Sequence, residues 1–386
     1  MDKSIDVRVA DSGDMLELYI TIPFLIHRDD PDFIPALYRD EVSFHDPDKN
    51  KSLKTCDFIR LIAFIDNQPV GRVMGIIHHE WNNLNNDKSV RFYQLDSIND
   101  QEVVSTLLGF IETWGEGQKM NRIIGSFGFS DKDPQGIQIE GFEYPPVIAS
   151  VSNGRYLGKL VEASGFRKFK DCVSYRLEIP DKTPVVYDNI ISRVTRNENI
   201  RLIEFKRRKQ LHRYFKPVME LMNEGYKNIY GFVPLSENDI EKLASQYLSF
   251  LDPELVKIIV DKQNKPVAFV IAMPNLSEGL KKSGGYLFPF GFLHLLKAML
   301  CSKQLDLLLG AVSQHYRGRG MNVLLGISLM KSARKKGLKY MDSHLILEEN
   351  RMMRAEMEKI GGKLTKRYRI YQKAIVPAQQ NNMDVL

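Results

Sequence analysis

The sequence predicts an α/β protein, with mixed α+β sheets, built from two similar domains in tandem. Three observations carry this expectation. The chain has 386 residues, more than a single hydrophobic core usually serves. One order of helices and strands occurs twice along it. In the second occurrence a glycine-rich loop joins an apolar strand to an amphipathic helix.

The first copy opens with a short strand at 5–9 and a helical pattern over 14–26. Two strand signals, 58–65 and 70–78, flank Asp66-Asn67-Gln68-Pro69, whose turn chemistry predicts an antiparallel hairpin. A strand at 91–95 leads to a helix over 100–118, with Val103, Leu107, Leu108 and Ile111 on one face. A strand at 120–128, a helix over 156–163 closed by Gly165, and a strand at 173–179 complete the copy.

The second copy repeats this order. Helices are expected over 211–226 and 236–251, and strands at 256–261 and 267–273 flank another turn, Lys262 to Pro266. Then come a strand at 305–312, a helix over 321–336, a strand at 340–347 and a helix over 350–360 that stops at Gly361-Gly362. Both copies close on a strand carrying Tyr-Arg-aliphatic, Tyr175-Arg176-Leu177 and Tyr368-Arg369-Ile370. The expected division is an N-terminal domain over 1–180, a linker over 181–199, a C-terminal domain over 200–378 and a disordered tail over 379–386.

Apolar residues make up 43% and charged residues 26% of the chain, a globular composition. A formal charge of +6 suits an anionic ligand but is too thinly spread for a nucleic-acid footprint. The basic run Lys206-Arg207-Arg208-Lys209 reads as a solvated helix face, and no nucleic-acid partner is expected. The three cysteines and eight histidines show no metal-ligand spacing, so no metal is expected. The N-terminus lacks the apolar core of a secretory signal, and no apolar run is long enough to cross a bilayer. A cytoplasmic location without stable membrane insertion is the expectation. Residues 285–300 (GYLFPFGFLHLLKAML) are unusually apolar for a surface connection. Three readings stand: a buried helix between the halves, the lining of an acyl or acceptor pocket, and contact with a membrane surface.

The loop of the second copy reads His315-Tyr316-Arg317-Gly318-Arg319-Gly320 and is followed by the helix from Met321. Gly318 and Gly320 allow a backbone turn that aims successive N–H groups at a pyrophosphate. The helix dipole adds positive potential, and Arg317 and Arg319 supply cations. The segment resembles the acyl-CoA-binding motif of the GNAT superfamily, Q/R-x-x-G-x-G/A, with His315 in place of the first Gln or Arg. The whole chain resembles bacterial tandem-GNAT proteins, a closer likeness carried by residues 141–146 (GFEYPP) and 228–234 (NIYGFVP). The resemblance implies an acyl-CoA-dependent N-acyltransferase, an acetyltransferase in the commonest form, using acetyl-CoA or another acyl-CoA with a small-molecule or peptide amine as acceptor.

The cofactor-binding residues expected on this basis are Gly310, Ala311, Val312, Arg317, Gly318, Arg319, Gly320, Met321, Asn322 and Asn350. The expected acceptor contacts are Asn228, Tyr230 and Phe232, with Tyr144 from the first copy. For the base, Glu348 is the first choice and Asp342 the alternative. The tyrosine acid of many GNAT enzymes falls here on Met357, which leaves Tyr368 or Tyr371 as substitutes. The first copy has Leu95-Asp96-Ser97-Ile98-Asn99-Asp100 at the loop position. It lacks the glycine pair and carries two carboxylates that oppose an anion, so it is expected to bind no CoA. A non-catalytic CoA-binding protein and an aminoacyl or long-chain acyl transferase remain alternatives.

Overall fold

A computed structural model describes residues 4–376, apart from 149, 183–188, 190, 193, 195, 197–199, 228 and 249–250. Most of the linker expected over 181–199 and the whole tail over 379–386 lie outside the described residues.

The first half runs β1 (Asp6–Val9), α1 (Gly13–Ile26), α2 (Tyr38–Phe44), α3 (Ser52–Thr55), β2 (Asp57–Ile65), β3 (Gln68–Ile77), α4 (His79–Leu84), β4 (Ser89–Ser97), α5 (Gln101–Gly117), β5 (Arg122–Gly125), β6 (Ile137–Glu140), α6 (Leu157–Ala163) and β7 (Arg167–Glu178). The second runs β8 (Arg201–Glu204), α7 (His212–Tyr226), α8 (Glu237–Tyr247), β9 (Val256–Val260), β10 (Pro266–Pro274), α9 (Ser277–Ser283), α10 (Gly291–Cys301), β11 (Gln304–Val312), α11 (Met321–Lys335), β12 (Tyr340–Ser343), β13 (Ile346–Leu347), α12 (Arg351–Lys359) and β14 (Lys363–Ala374).

The turn signals work as expected. Asp66 and Asn67 both take positive φ, as a two-residue hairpin turn between right-twisted strands requires. In the second hairpin the Asp261 carboxylate accepts from the N–H groups of Gln263 and Lys265, and Asn264 takes positive φ. Apolar faces then decide the layers. α5 and α6 bury Val103, Leu107, Ile111 and Val161 on β3, β4 and β5. In the second half α7 covers β10 and β11 on one face with Phe215, Val218 and Met222, and α11 covers the other with Leu324, Leu325 and Leu329.

Among the described residues the fourteen strands form one sheet, in the order β1-β2-β3-β4-β5-β14-β7-β12-β11-β10-β9-β8, with β6 on β14 and β13 on β7. The halves therefore exchange their last strands. β14, the end of the second half, pairs with β5 and β6, whereas β7, the end of the first, pairs with β12 and β13. β7 and β14 then pair antiparallel with each other along nearly their whole length. Chain halves and sheet halves do not coincide.

Two further departures from the sequence reading matter for the site. The strand expected at 340–347 is broken at His344-Leu345, and its remainder, β13, joins β7. The helix within 285–300 is not buried between the halves. α10 buries only Ala298 fully and leaves Phe292, Leu293, Leu296 and Leu300 in solvent. Among the described residues no helix is long and apolar enough to cross a membrane.

Candidate functional site

The second half contains an opening made by its own sheet. β11 and β12 run parallel and pair from Gln304–Tyr340 to Leu307–Ser343, whereas β11 continues to Val312 beside β10. Its last residues, 308–312, thus present an edge to a cleft. The register between β10 and β11 slips at this point, with Ile271 opposite Leu309 and Ala272 opposite Leu307. Leu308 is the extra residue of a β-bulge. A one-residue slip exchanges the faces of a strand. Leu305 and Leu307 accordingly pack toward α11, whereas Leu309 and Ala311 pack toward α7.

The glycine loop lies at the end of this edge. Gly318 and Gly320 have φ of 73° and 89°, left-handed conformations that favour glycine. A Cβ on Gly320 would come within 2.8 Å of Val194, so the loop also packs closely on the linker. Gly320 occupies the cap position of α11, and among the described residues no side chain caps this helix. Its first N–H groups keep their donor capacity, and the macrodipole points positive at the cleft. Such an end suits an anion.

Arg317 lies across the mouth, with Nε donating to Val312 O at 3.3 Å and Nη2 to Gly225 O at 3.5 Å. Arg319 stands over the Tyr316 ring, and His315 is exposed. Gly310 is exposed on the cleft edge, and the Tyr226 hydroxyl from the end of α7 donates to its carbonyl at 3.1 Å. Burial pushes the Tyr226 hydroxyl up, so it holds its proton. His344 follows β12 where the strands part, its N–H bonded to Leu307 O at 3.1 Å. Burial lowers its imidazole, which is therefore neutral at ordinary pH.

A groove of about 360 Å³ lies beside the end of α7, where the Phe232 ring in its wall meets the Tyr226 ring at 6.3 Å. Ile229, Tyr230, Phe232 and Leu347 come from the second half, and Trp81 and Lys170 from the first. A second groove of about 590 Å³ shares Trp81, Asn85 and Tyr230 with it and extends over the first half. The Trp81 and Tyr230 rings meet edge to face at 5.2 Å. Behind them lies the buried Arg91, which donates to the Gly128 and Phe129 carbonyls.

The corresponding opening of the first half is filled. β4 parts from β5 after Phe92–Gly125 and carries its own bulge at Gln94, with φ of 49°. Into the gap fold Asp96, Arg72, His27 and Glu41, with Asp96 bonded to Arg72 at 2.9 Å and to His27 at 3.2 Å. The end of α5 is closed by Asp100, whose carboxylate accepts from the N–H groups of Glu102 and Val103. A carboxylate already occupies the place that a phosphate would take. Asp96 acts differently from the sequence expectation: it is a neutralised partner inside the plug and not a bare repelling charge.

Several expected site residues have other roles. Glu348 is bound by Lys168 and Arg367, which hold its carboxyl below the ordinary range and make it a poor base. Asp342 is wholly buried between Arg176 and Lys366 and has no access to solvent. Tyr368 and Tyr371 are buried because β14 belongs to the first half's side of the sheet, and Tyr371 donates to Glu162 at 3.0 Å. Neither reaches the cleft. Met357, where the usual acid falls, packs in the core under α11. Asn350 caps α12, its side-chain oxygen accepting from Met353 N at 3.2 Å. The Met321 side chain is core, which leaves its backbone N–H for a ligand. Asn322 is exposed and donates to Glu356. Tyr144 lies under the Arg176 and Lys366 cations, away from the groove. Asn228 lies outside the described residues.

His344, Tyr226 and the pair Trp81 and Lys170 were not foreseen. The expected strand over 340–347 contained His344, so only the break after Ser343 reveals it. Nothing in the sequence signals Trp81 or Lys170, because only the strand exchange brings them beside Tyr230. Among the described residues no group of three or more His, Cys, Asp or Glu stands close enough to hold a metal ion.

Fold and cleft together show what the chain is similar to: it has the fold of solved tandem GNAT proteins. The solved tandem GNAT protein from the clavulanic acid biosynthesis pathway superposes with a TM-score of 0.55 at 10% identity, over 97% of this chain and 100% of that one. Protein YghO of Escherichia coli strain K12 is 27% identical over 367 residues, 93% of each chain. The bacterial ceramide synthase of Caulobacter vibrioides is 23% identical over 368 residues, 93% of this chain and 95% of that one. No family model matches the chain.

Proposed function

We propose that this chain is an acyl-CoA-dependent N-acyltransferase in which the second half, over 200–378, holds acyl-CoA and the first, over 1–180, shapes the acceptor groove. The observation that carries the reading is the contrast between the halves. Beside a free strand edge, α11 begins on a glycine pair without a side-chain cap, whereas the same place in the first half is closed by Asp100 and the Asp96 plug. The N–H groups that begin α11, with Arg317 and Arg319, would hold the pyrophosphate, and the edge at Gly310 to Val312 would hold the arm that follows it.

The substrate supplies an activated thioester. The protein must supply a neutral amine, a place for its proton and a proton for the leaving thiolate. His344 is neutral and stands where β11 and β12 part, so it takes the amine proton as the N–C bond forms. Tyr226 is protonated and bonded to Gly310, so it returns a proton to the sulfur as the C–S bond breaks. A lipid amine with a long-chain acyl donor is favoured over a peptide acceptor by the full-length likeness to a protein named a ceramide synthase.

The test is calorimetric titration of the full chain with CoA. One site per chain is expected. Gly318→Asp adds a side chain where nothing lies within 4 Å and sets a carboxylate beside the helix end. It should weaken binding by about tenfold or more, and Gly318→Asn, which carries the same left-handed strain without the charge, should keep most of the affinity. An absence of CoA binding by the wild type at millimolar concentration defeats the proposal.

A further inference from the structure

We propose that residues 286–300 form a membrane-docking surface that seats the protein on an anionic bilayer. The insertion between β10 and β11 presents its apolar side chains outward. Phe288 is 81% exposed, Phe290 67% and Leu300 74%, and Tyr286, Phe292, Leu293 and Leu296 are exposed beside them. On α10 the residues at 292, 293, 296 and 300 make one stripe along the helix. The opposite face is apolar as well: Leu295, Ala298 and Met299 pack on Leu276 and Leu280. A helix anchored by one apolar face with a second turned to water is unusual for a surface element, since soluble chains keep such patches small.

The surface is held rigidly. Tyr286 stacks on Tyr38 at 4.9 Å and meets Phe24 at 5.8 Å, both from the first half. Gly285 has φ of 79°, and a Cβ there would lie 2.3 Å from Ala36 O, so the insertion starts from a closely fitted turn. The apolar tip is thus displayed by the body of the protein and does not collapse onto it.

Charge selects the occupant. From Leu280 to Lys303 the sequence has four lysines and no Asp or Glu. Lys282, Lys297 and Lys303 are exposed around the apolar surface. A second copy would bring this cationic rim against itself. An anionic leaflet offers the opposite charge to the rim and an apolar interior to the phenylalanines. The protruding Phe288-Pro289-Phe290 tip also suits insertion better than a flat protein interface. No spanning helix is needed, because the stripe lies along the surface.

The experiment is co-sedimentation of the full chain with phosphatidylcholine vesicles, with and without about one-third phosphatidylglycerol. Binding to the anionic vesicles is expected, with weakening at high salt. A Phe288→Ser, Phe290→Ser, Leu293→Ser variant should lose about tenfold or more of the partitioning while keeping its melting temperature, since these side chains are exposed. The proposal is overturned if the wild type ignores both vesicle types or if the variant partitions equally. It is also overturned if light scattering shows a wild-type dimer that the variant dissolves, with no vesicle binding by either. CoA titration of the same variant separates this surface from the proposed catalytic cleft, and affinity should be unchanged.

Discussion

His344 shows how surroundings set the state of one residue. Its backbone N–H ties it to Leu307 at the point where two parallel strands separate, and burial depresses its imidazole. A histidine so placed is a base over the whole neutral range and loses that capacity only on acidification below the ordinary value of about 6.5. Once an acceptor is found, His344→Gln should lower the single-turnover rate by about 10²- to 10⁴-fold with CoA affinity unchanged. The wild-type rate should stay flat through the ordinary imidazole value of about 6.5 and fall only below it. An unaltered rate in the variant removes His344 from the mechanism. Glu348 gives the opposite lesson. From sequence it is a carboxylate at a strand end near the loop, but Lys168 and Arg367 are brought onto it from two other strands.

At the scale of elements, the broken fifth strand recurs in both halves: β5 resumes as β6 and β12 as β13. The turn that ends β6 is at Gly141, with φ of 79°, where a Cβ would stand 1.9 Å from Thr365 O. Gly141→Ala is therefore expected to push β6 off β14 and to cost about 2 kcal/mol or more, read from the midpoint of denaturant unfolding. A change below about 0.5 kcal/mol would mean that this close approach does not restrain the strand. Most helices and strands were legible because period, cap and turn residues are local properties. The orientation of α10 was not legible. With apolar residues on both faces, its sequence reads the same whether the second face meets protein or lipid.

For the whole molecule, the exchange of β7 and β14 makes the two halves one mechanical unit. Removing either half would strip the other's fifth strand of the partner on one of its edges, exposing a row of backbone groups. Unfolding should therefore proceed as one cooperative transition, with the same midpoint by circular dichroism and by tryptophan fluorescence. Both tryptophans, Trp81 and Trp114, lie in the first half. CoA bound to the second half should nevertheless raise the fluorescence midpoint by mass action. Two resolved transitions, with CoA moving only one, would contradict this coupling.

The sequence by itself determined the tandem architecture, the two hairpins with their turns, and the asymmetry of the loops, Gly318 and Gly320 in one half against Asp96 and Asp100 in the other. Each of these rests on interactions within a few residues, so the local pattern suffices. Only the tertiary structure decided which sheet edge each final strand joins. Tyr175-Arg176-Leu177 and Tyr368-Arg369-Ile370 carry the same alternation, and that alternation is satisfied equally beside either fifth strand. From the exchange followed the burial of Tyr368 and Tyr371, the capture of Glu348 by Lys168, and the arrival of Trp81 and Lys170 beside Tyr230. Contacts between residues tens to hundreds of positions apart depend on how the faces close, and no periodicity along the chain records that.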